Sequence, residues 1–341
     1  MTHPKVLLIG GNPGRWTWKD RLQDAPYDNG IEAWVHATQG THVDHRSVTL
    51  DDVNRHDIVI CNTNFIFKPG PMTKYVRLAE ERRSNVRWVS LLEGDMRDYM
   101  RPDALIRRAF DASDLVNCIN RHATEALQHI TSTPVAYIGI PYPVDGVLAC
   151  ATPIAERQRR VHVCAFVLKR LNDHIVARQL GLPIDGYQSG IKRRLSETYR
   201  NWKQYRTVLD KQAPFAMAKS LYQDPQLTVH GEVPMPVYYK AAGKNILWIN
   251  MDERFTWGRY VLDAAALGVP MVTTRSTGHG DVLFPDTTVD TAFDVVEGVR
   301  LARRLLDDAD FYRHVAQQAQ DRIRQYDAPD VVRSLYQHLG V

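Results

Sequence analysis

Through the first 145 residues, short apolar runs alternate with longer amphipathic stretches. The runs cover residues 5–10, 32–37, 57–62, 86–92, 114–119 and 134–140. Most are rich in Val and Ile with little period-2 alternation, the pattern of strands buried on both faces. Between them, residues 72–83, 102–112 and 121–130 place apolar side chains at helical spacing. Strand, helix and strand in regular order predict right-handed crossovers and one parallel, Rossmann-like sheet.

The pattern breaks at Ile140-Pro-Tyr-Pro-Val-Asp-Gly146, where two prolines and a glycine oppose a continuing helix. Residues 141–160 read as a polar linker closing on Glu156-Arg-Gln-Arg-Arg160. Strand-like runs resume at 160–168, 227–230, 245–250 and 269–274, and helices follow from about Ala292 to the end. The predicted fold class is therefore α/β, with two Rossmann-like domains whose parallel sheets face a central cleft. The expected boundaries are 1–147 and 148–341, with the last helix free to pack back on the first domain. A chain of 341 residues fits this division, since single cores become uncommon above roughly 250 residues.

Composition agrees with a globular protein: 44% of residues are hydrophobic and 24% charged, too apolar for disorder. A net charge of +4 announces neither a nucleic-acid nor a membrane partner in bulk. The apolar run at residues 6–10 is too short for a signal-peptide core or a membrane span, and no uncharged apolar stretch elsewhere nears the length of a span. Cys61, Cys118, Cys150 and Cys164 are widely spaced and read as buried free thiols. A soluble cytoplasmic protein is expected, in the host cytoplasm if the source is viral.

The first candidate chemistry is Gly10-Gly-Asn-Pro-Gly14, directly after the first run. Gly10 and Gly11 allow a ligand close to the backbone, and amides opening the next helix suit an anion. The spacing is not GxGxxG, and no acidic residue stands clearly at the end of the second run. A nicotinamide-dinucleotide site is the weaker reading of this turn.

The strongest motif runs from Asp252 to Thr274: Asp-Glu-Arg-Phe-Thr-Trp-Gly-Arg-Tyr-Val-Leu-Asp-Ala-Ala-Ala-Leu-Gly-Val-Pro-Met-Val-Thr-Thr. A strand ends in an acidic loop, a helix opens near Gly258, and Gly268-Val-Pro270 stops it and launches the next strand. These residues resemble the donor-binding core of glycosyltransferase family 4, whose members have the GT-B fold. There an acid and a glycine open a helix, a second acid follows eight positions on, and Gly-Val-Pro-Val-Val comes next. The resemblance makes Asp263 the second acid, suited to gripping ribose hydroxyls, since a carboxylate accepts two hydrogen bonds. It places Gly258 and Arg259 at the diphosphate. Eight residues before Asp263 stands Phe255 rather than an acid, so contact with the sugar hydroxyls passes to Asp252 or Glu253.

The same resemblance assigns further positions. Ser276, Thr277 and Gly278 form the glycine-rich loop against the donor, with His279 able to contribute a proton or a hydrogen bond. Lys169 and Arg170 neutralise the leaving diphosphate, where negative charge builds as the glycosidic bond breaks. Gly231 and Glu232 fall where such enzymes receive the nucleobase. Glu93 and Asp95, at the end of a first-domain strand, orient the acceptor hydroxyl or act as its base.

The implied activity is transfer of a sugar from a UDP- or GDP-sugar to an acceptor hydroxyl, with retention of configuration, no cofactor and no metal. Two alternatives stand beside it. In residues 189–212, Lys192, Arg193 and Arg194 and further basic side chains interleave with Tyr199, Trp202 and Tyr205, a pattern suited to a nucleic-acid strand. With the stretch 275–284 it resembles phage DNA glucosyltransferases, which would make a hydroxymethylated base the acceptor. The other alternative is a catalytically degenerate protein that only binds a nucleotide-sugar, a reading favoured by Phe255.

Overall fold

The structure is a computed structural model, and it describes residues 3–10, 30–63, 69–101, 103–163, 171–187, 224–230 and 233–341. The chain divides into two compact units. Unit 1 takes residues 1–146, Arg254–Gly258 and Arg324–Val341; unit 2 takes Val147–Glu253 and Arg259–Ile323.

Unit 1 holds strands β1 (Val6–Gly10), β2 (Thr41–Asp44), β3 (Ile58–Asn62), β4 (Arg87–Leu91), β5 (Leu115–Cys118) and β6 (Val135–Tyr137). They form one sheet in the order β2-β1-β3-β4-β5-β6, and every pairing is parallel. The helices between them are α1 (Gly30–Thr38), α2 (Leu50–Asn54), α3 (Pro69–Glu81), α4 (Ala104–Asp111) and α5 (Thr124–Gln128). β1 and β3 are buried at every position, because alternate side chains enter two separate cores. Leu8, Ile58 and Ile60 pack with Ile31 and Trp34 of α1, whereas Leu7, Ile9 and Val59 pack with Tyr75 and Leu78 of α3. Each large buried side chain contributes on the order of 1.5–3 kcal/mol. Thr49 and Asp52 close a reciprocal capping box on α2, and Asp103 caps α4 by accepting from the amides of Leu105 and Ile106.

Two expectations are corrected in this half. Residues 32–37, expected to be a strand, belong to helix α1, which buries the contiguous run Gly30 to Trp34. An apolar run buried along its whole length carries no period, so it reads equally as either element. The second strand is instead Thr41–Asp44, an edge strand with one apolar residue, and it does end in an acid. The Asp44 carboxylate accepts from the Arg46 amide at 2.8 Å, closing its own turn. Residues 141–160 are also not a plain linker, since they hold α6 (Val144–Leu148) and the start of the next strand.

Unit 2 holds β7 (Gln158–Val163), β8 (Ile184–Tyr187), β9 (Leu227–His230), β10 (Asn245–Asn250), β11 (Met271–Thr274) and β12 (Thr288–Val289), in the order β12-β11-β10-β7-β8-β9. Again every pairing is parallel. Its helices are α7 (Leu171–Arg178), α8 (Met235–Ala242), α9 (Arg259–Ala266), α10 (Gly280–Leu283), α11 (Val295–Asp307) and α12 (Ala309–Ile323). β8 and β12 are additional to the runs expected from sequence. Arg157 ties the end of α9 to α12, donating to the Gly268 carbonyl and the Tyr312 hydroxyl at 2.8 Å each.

The C-terminal helix α13 (Ala328–Leu339) belongs to unit 1, where Val331, Leu335 and Leu339 join the core beside α1. Asp327 caps its start and Gly340, at φ +69°, ends it. Cys61, Cys118 and Cys150 are buried free thiols; Cys164 lies outside the described residues. Among the described residues, no helix is long and apolar enough to cross a membrane.

Candidate active site

In unit 2, β7, β8 and β9 are laid down in one direction, and β10 then returns to the far side of β7. The strand order reverses between β7 and β10. In open α/β sheets, ligands bind outside the carboxyl ends of the strands at such a reversal. The residues following β10 and β11 are therefore the candidate donor side.

The loop after β10 is held from three directions. The Met251 amide donates to Asp173 Oδ1, and the Asp252 carbonyl accepts from Thr274 Oγ1 and Ser276 Oγ. The Asp252 side chain is itself buried. Glu253, one residue on, is half-buried and makes no hydrogen bond or ion pair among the described residues. Gly258 takes φ +64°, a conformation that costs glycine nothing, and α9 begins at the next residue.

Arg259 turns along its own helix. Its Nη2 donates to Tyr239 Oη at 3.1 Å, and Tyr239 Oη donates in turn to Asp263 Oδ1 at 3.0 Å. Arg259 Nε also lies 3.8 Å from Asp263 Oδ1. Burial pushes the Tyr239 hydroxyl far above its usual acidity range, which keeps it a donor. Asp263, expected to meet ribose, is buried within this relay, 1% exposed. Tyr239 was not singled out from sequence, because it comes from α8 with no local motif around it.

The β11 loop differs from expectation. The hydroxyls of Ser276 and Thr277 do not face outward: Ser276 binds the Asp252 carbonyl, and Thr277 Oγ1 donates to the Thr274 carbonyl at 2.8 Å. Each is spent on a backbone carbonyl, and the Asp252 carbonyl receives Thr274 Oγ1 as well. Gly278, at φ +77°, then turns the chain, and His279 is fully buried.

In unit 1 the strand order reverses between β1 and β3. Gly10 ends β1, but a Cβ there would lie 2.9 Å from Ile31 Cγ1, so α1 rather than a ligand occupies the close approach. Beyond β4, Glu93 and Asp95 diverge in role. Asp95 caps the turn Met96–Asp98 and pairs with Arg97 at 2.6 Å. Glu93 is half-buried, and its Oε1 is sealed from solvent without a hydrogen-bond partner. Burial raises its pKa to about 7, against the pull of a hydrogen bond from Asn62.

Phe255 lies in unit 1. Its carbonyl accepts from the Met96 amide at 2.8 Å, and its ring packs with Trp257 on the unit 1 core. The Thr256 carbonyl accepts from Asn120 Nδ2 at 2.8 Å. Phe255, which stands where the family 4 resemblance expects an acid, is thus a packing residue. Gly11, Lys169, Arg170, Lys192, Arg193, Arg194, Trp202, Gly231 and Glu232 lie outside the described residues.

Residues 167–333 match the family model described as glycosyl transferase-like, a stretch just short of half the chain. A comparison with curated protein sequences finds no match. Among solved structures, sucrose-phosphate synthase from Thermosynechococcus elongatus is similar at TM-score 0.64 and 11% identity, covering 98% of this chain and 99% of that one. A UDP-forming α,α-trehalose-phosphate synthase from Burkholderia xenovorans aligns at TM-score 0.62 and 10% identity over 92% of this chain and 80% of its own. An alpha-glucosyltransferase in complex with UDP and a 13-mer DNA containing an HMU base aligns at TM-score 0.59 and 11% identity over the whole of both chains.

Nearly half of the chain thus matches a glycosyl transferase-like family, and the whole chain shares the fold of the aligned enzymes. Its two parallel six-stranded sheets are those of the GT-B fold, and its glycosyl transferase-like part contains the switch-point loop, α9 and Asp263.

Proposed function

We propose that the chain transfers a glycosyl group from a nucleotide-sugar, a UDP- or GDP-sugar, to an acceptor hydroxyl. Unit 2 holds the donor at the β7/β10 reversal, with Glu253 at the sugar and the Arg259–Tyr239–Asp263 relay fixing the helix beside it. Glu93 of unit 1 takes the proton of the acceptor hydroxyl. A carboxyl group with a pKa of about 7 is poised for proton transfer near neutral pH. The observation that carries the reading is that the glycosyl transferase-like stretch contains the very loop at which unit 2's strand order reverses.

Calorimetric titration with UDP-glucose and GDP-glucose, followed by assay of slow donor hydrolysis, tests it. Saturable binding of one nucleotide-sugar with release of nucleotide is the expected result. Binding without release supports the degenerate reading, and no binding of either sinks the donor assignment. Retention of configuration rests on the family 4 resemblance; the anomeric proton coupling of the transferred sugar reads it directly.

A second reading makes a hydroxymethylated base of DNA the acceptor. It is supported by the full-length similarity to a DNA-bound alpha-glucosyltransferase and by the basic, aromatic composition of residues 189–212. Charge reversal at Lys192, Arg193 and Arg194 should abolish gel-shift binding of hydroxymethylated DNA and leave donor hydrolysis intact. Unchanged DNA binding discards this acceptor.

A further inference from the structure

We propose that Gly30 and Asn62 are positioning residues for Glu93, Gly30 leaving the space its carboxyl group occupies and Asn62 holding that group by a hydrogen bond. The proposal rests on the reading of Glu93 as the acceptor-side base, and it concerns how three distant segments hold one carboxyl group. Gly30 opens the nine-residue helix α1. A Cβ at Gly30 would lie 1.9 Å from Glu93 Oε1 and 2.9 Å from Ile140 Cδ1. No side chain fits there while the carboxyl group stays where it is. The backbone of Gly30 is not left-handed, so the demand for glycine is one of space alone.

The main chain of Glu93 is clamped as firmly. Tyr99 Oη donates to the Glu93 carbonyl at 2.7 Å and accepts from the Glu93 amide at 3.2 Å. Thr63 Oγ1, which donates to the Leu91 carbonyl at 2.8 Å, lies 3.3 Å from the same hydroxyl. With the backbone fixed by Tyr99 and the carboxyl group held by Asn62, which is buried at the end of β3, Oε1 faces Gly30 with no partner.

On the turn after Glu93, Asp95 is paired with Arg97 and Asp98 with Arg101. On α1, Glu32 is buried and engaged. From the segment after β6, Ile140 Cδ1 borders the same space. The Tyr99 hydroxyl is pushed above its usual range by burial, so it stays neutral. Among the described residues, burial raises the proton affinity of Glu93 and Asn62 alone opposes it. Burial thus raises the proton affinity of Glu93, Asn62 moderates that rise, and Gly30 leaves the space the group fills.

The test is a carbon NMR titration of protein labelled at the glutamate side-chain carboxyl, with the Glu93 signal assigned by its loss in Glu93→Gln. Asn62→Leu should move the Glu93 midpoint upward by about one pH unit, the worth of one hydrogen bond to a carboxylate. Gly30→Ala should displace the group toward solvent and lower the midpoint toward the ordinary carboxylate range. Hydrogen-exchange protection of the β4 amides, which lie in unit 1, checks that each variant is folded; should Gly30→Ala fail that check, Asn62→Leu decides alone. A midpoint in folded Asn62→Leu equal to the parent's overturns the proposal. The underlying functional reading fails separately, if Glu93→Gln transfers sugar from UDP-glucose at the parent rate while the titration behaves as expected.

Discussion

Replacing Glu93 by Gln should stabilise unit 1 in a pH-dependent way. The carboxyl pKa rises from its ordinary 4.5 to about 7 on folding, because burial disfavours the charged form. A raised carboxyl pKa means that the folded state keeps a proton the unfolded chain has released. Below about pH 4.5 both states are protonated and Glu93 costs nothing. Between there and about pH 7 stability falls as pH rises, by at most about 1.4 kcal/mol per pH unit for one proton. Above that window the deficit levels off at about 3 kcal/mol, an upper figure for a side chain that is only half-buried.

Glutamine cannot ionise, so the variant should gain that stability relative to the parent between pH 5 and pH 8. A constant offset from exchanging oxygen for an amide nitrogen drops out, since only the change with pH is read. Hydrogen-exchange protection of the β4 amides reports on unit 1 itself and avoids assuming that a two-unit chain unfolds in one step. A variant-minus-parent difference that stays flat across this range would refute the burial of Glu93 in its raised-pKa setting.

Further predictions concern neighbouring contacts. Phe255→Glu, which puts an acid where the family 4 resemblance expects one, should cost about 2–4 kcal/mol by placing a carboxylate against the unit 1 core, and should leave the affinity for UDP-glucose no higher, as calorimetry and urea unfolding would show. Tyr239→Phe removes a hydrogen bond to buried Asp263 and should destabilise by about 1–3 kcal/mol while weakening donor binding; unchanged binding would make the relay purely structural. Gly10→Ala sets a methyl group 2.9 Å from Ile31 Cγ1 and should lower stability by about 1–3 kcal/mol, with Ile31→Ala in the same chain recovering part of the loss in the unfolding midpoint.

The fold was largely legible because buried parallel strands announce themselves. The runs around Leu7, Val59, Val89, Leu247 and Val272 all became strands. Failures came where burial and composition part company. Thr41-His-Val-Asp44 and Ile184-Asp-Gly-Tyr187 are strands whose polar residues mask them, while the apolar run around Trp34 is a helix. For the candidate site, a strand-end carboxylate such as Glu93 is visible in sequence, and so is the helix start at Gly258. What distinguishes Glu93 from Asp95 is not visible. It depends on residues 30, 62 and 99 meeting in space, and no local spacing encodes that meeting. The absence of an acid at Phe255 could be read from sequence, but its reason, packing with Trp257 on the unit 1 core, could not.

The segment Arg254–Gly258 and the tail Arg324–Val341 have a practical bearing on how the protein can be taken apart. A fragment ending at Gly146 would lack Phe255 and Trp257, and the Phe255 and Thr256 carbonyls that accept from Met96 and Asn120. It would also lose α13, which covers the core beside Trp34. No single cleavage of the polypeptide yields an intact unit 1. A chimaera meant to exchange this half with that of another enzyme must graft three stretches of sequence at once.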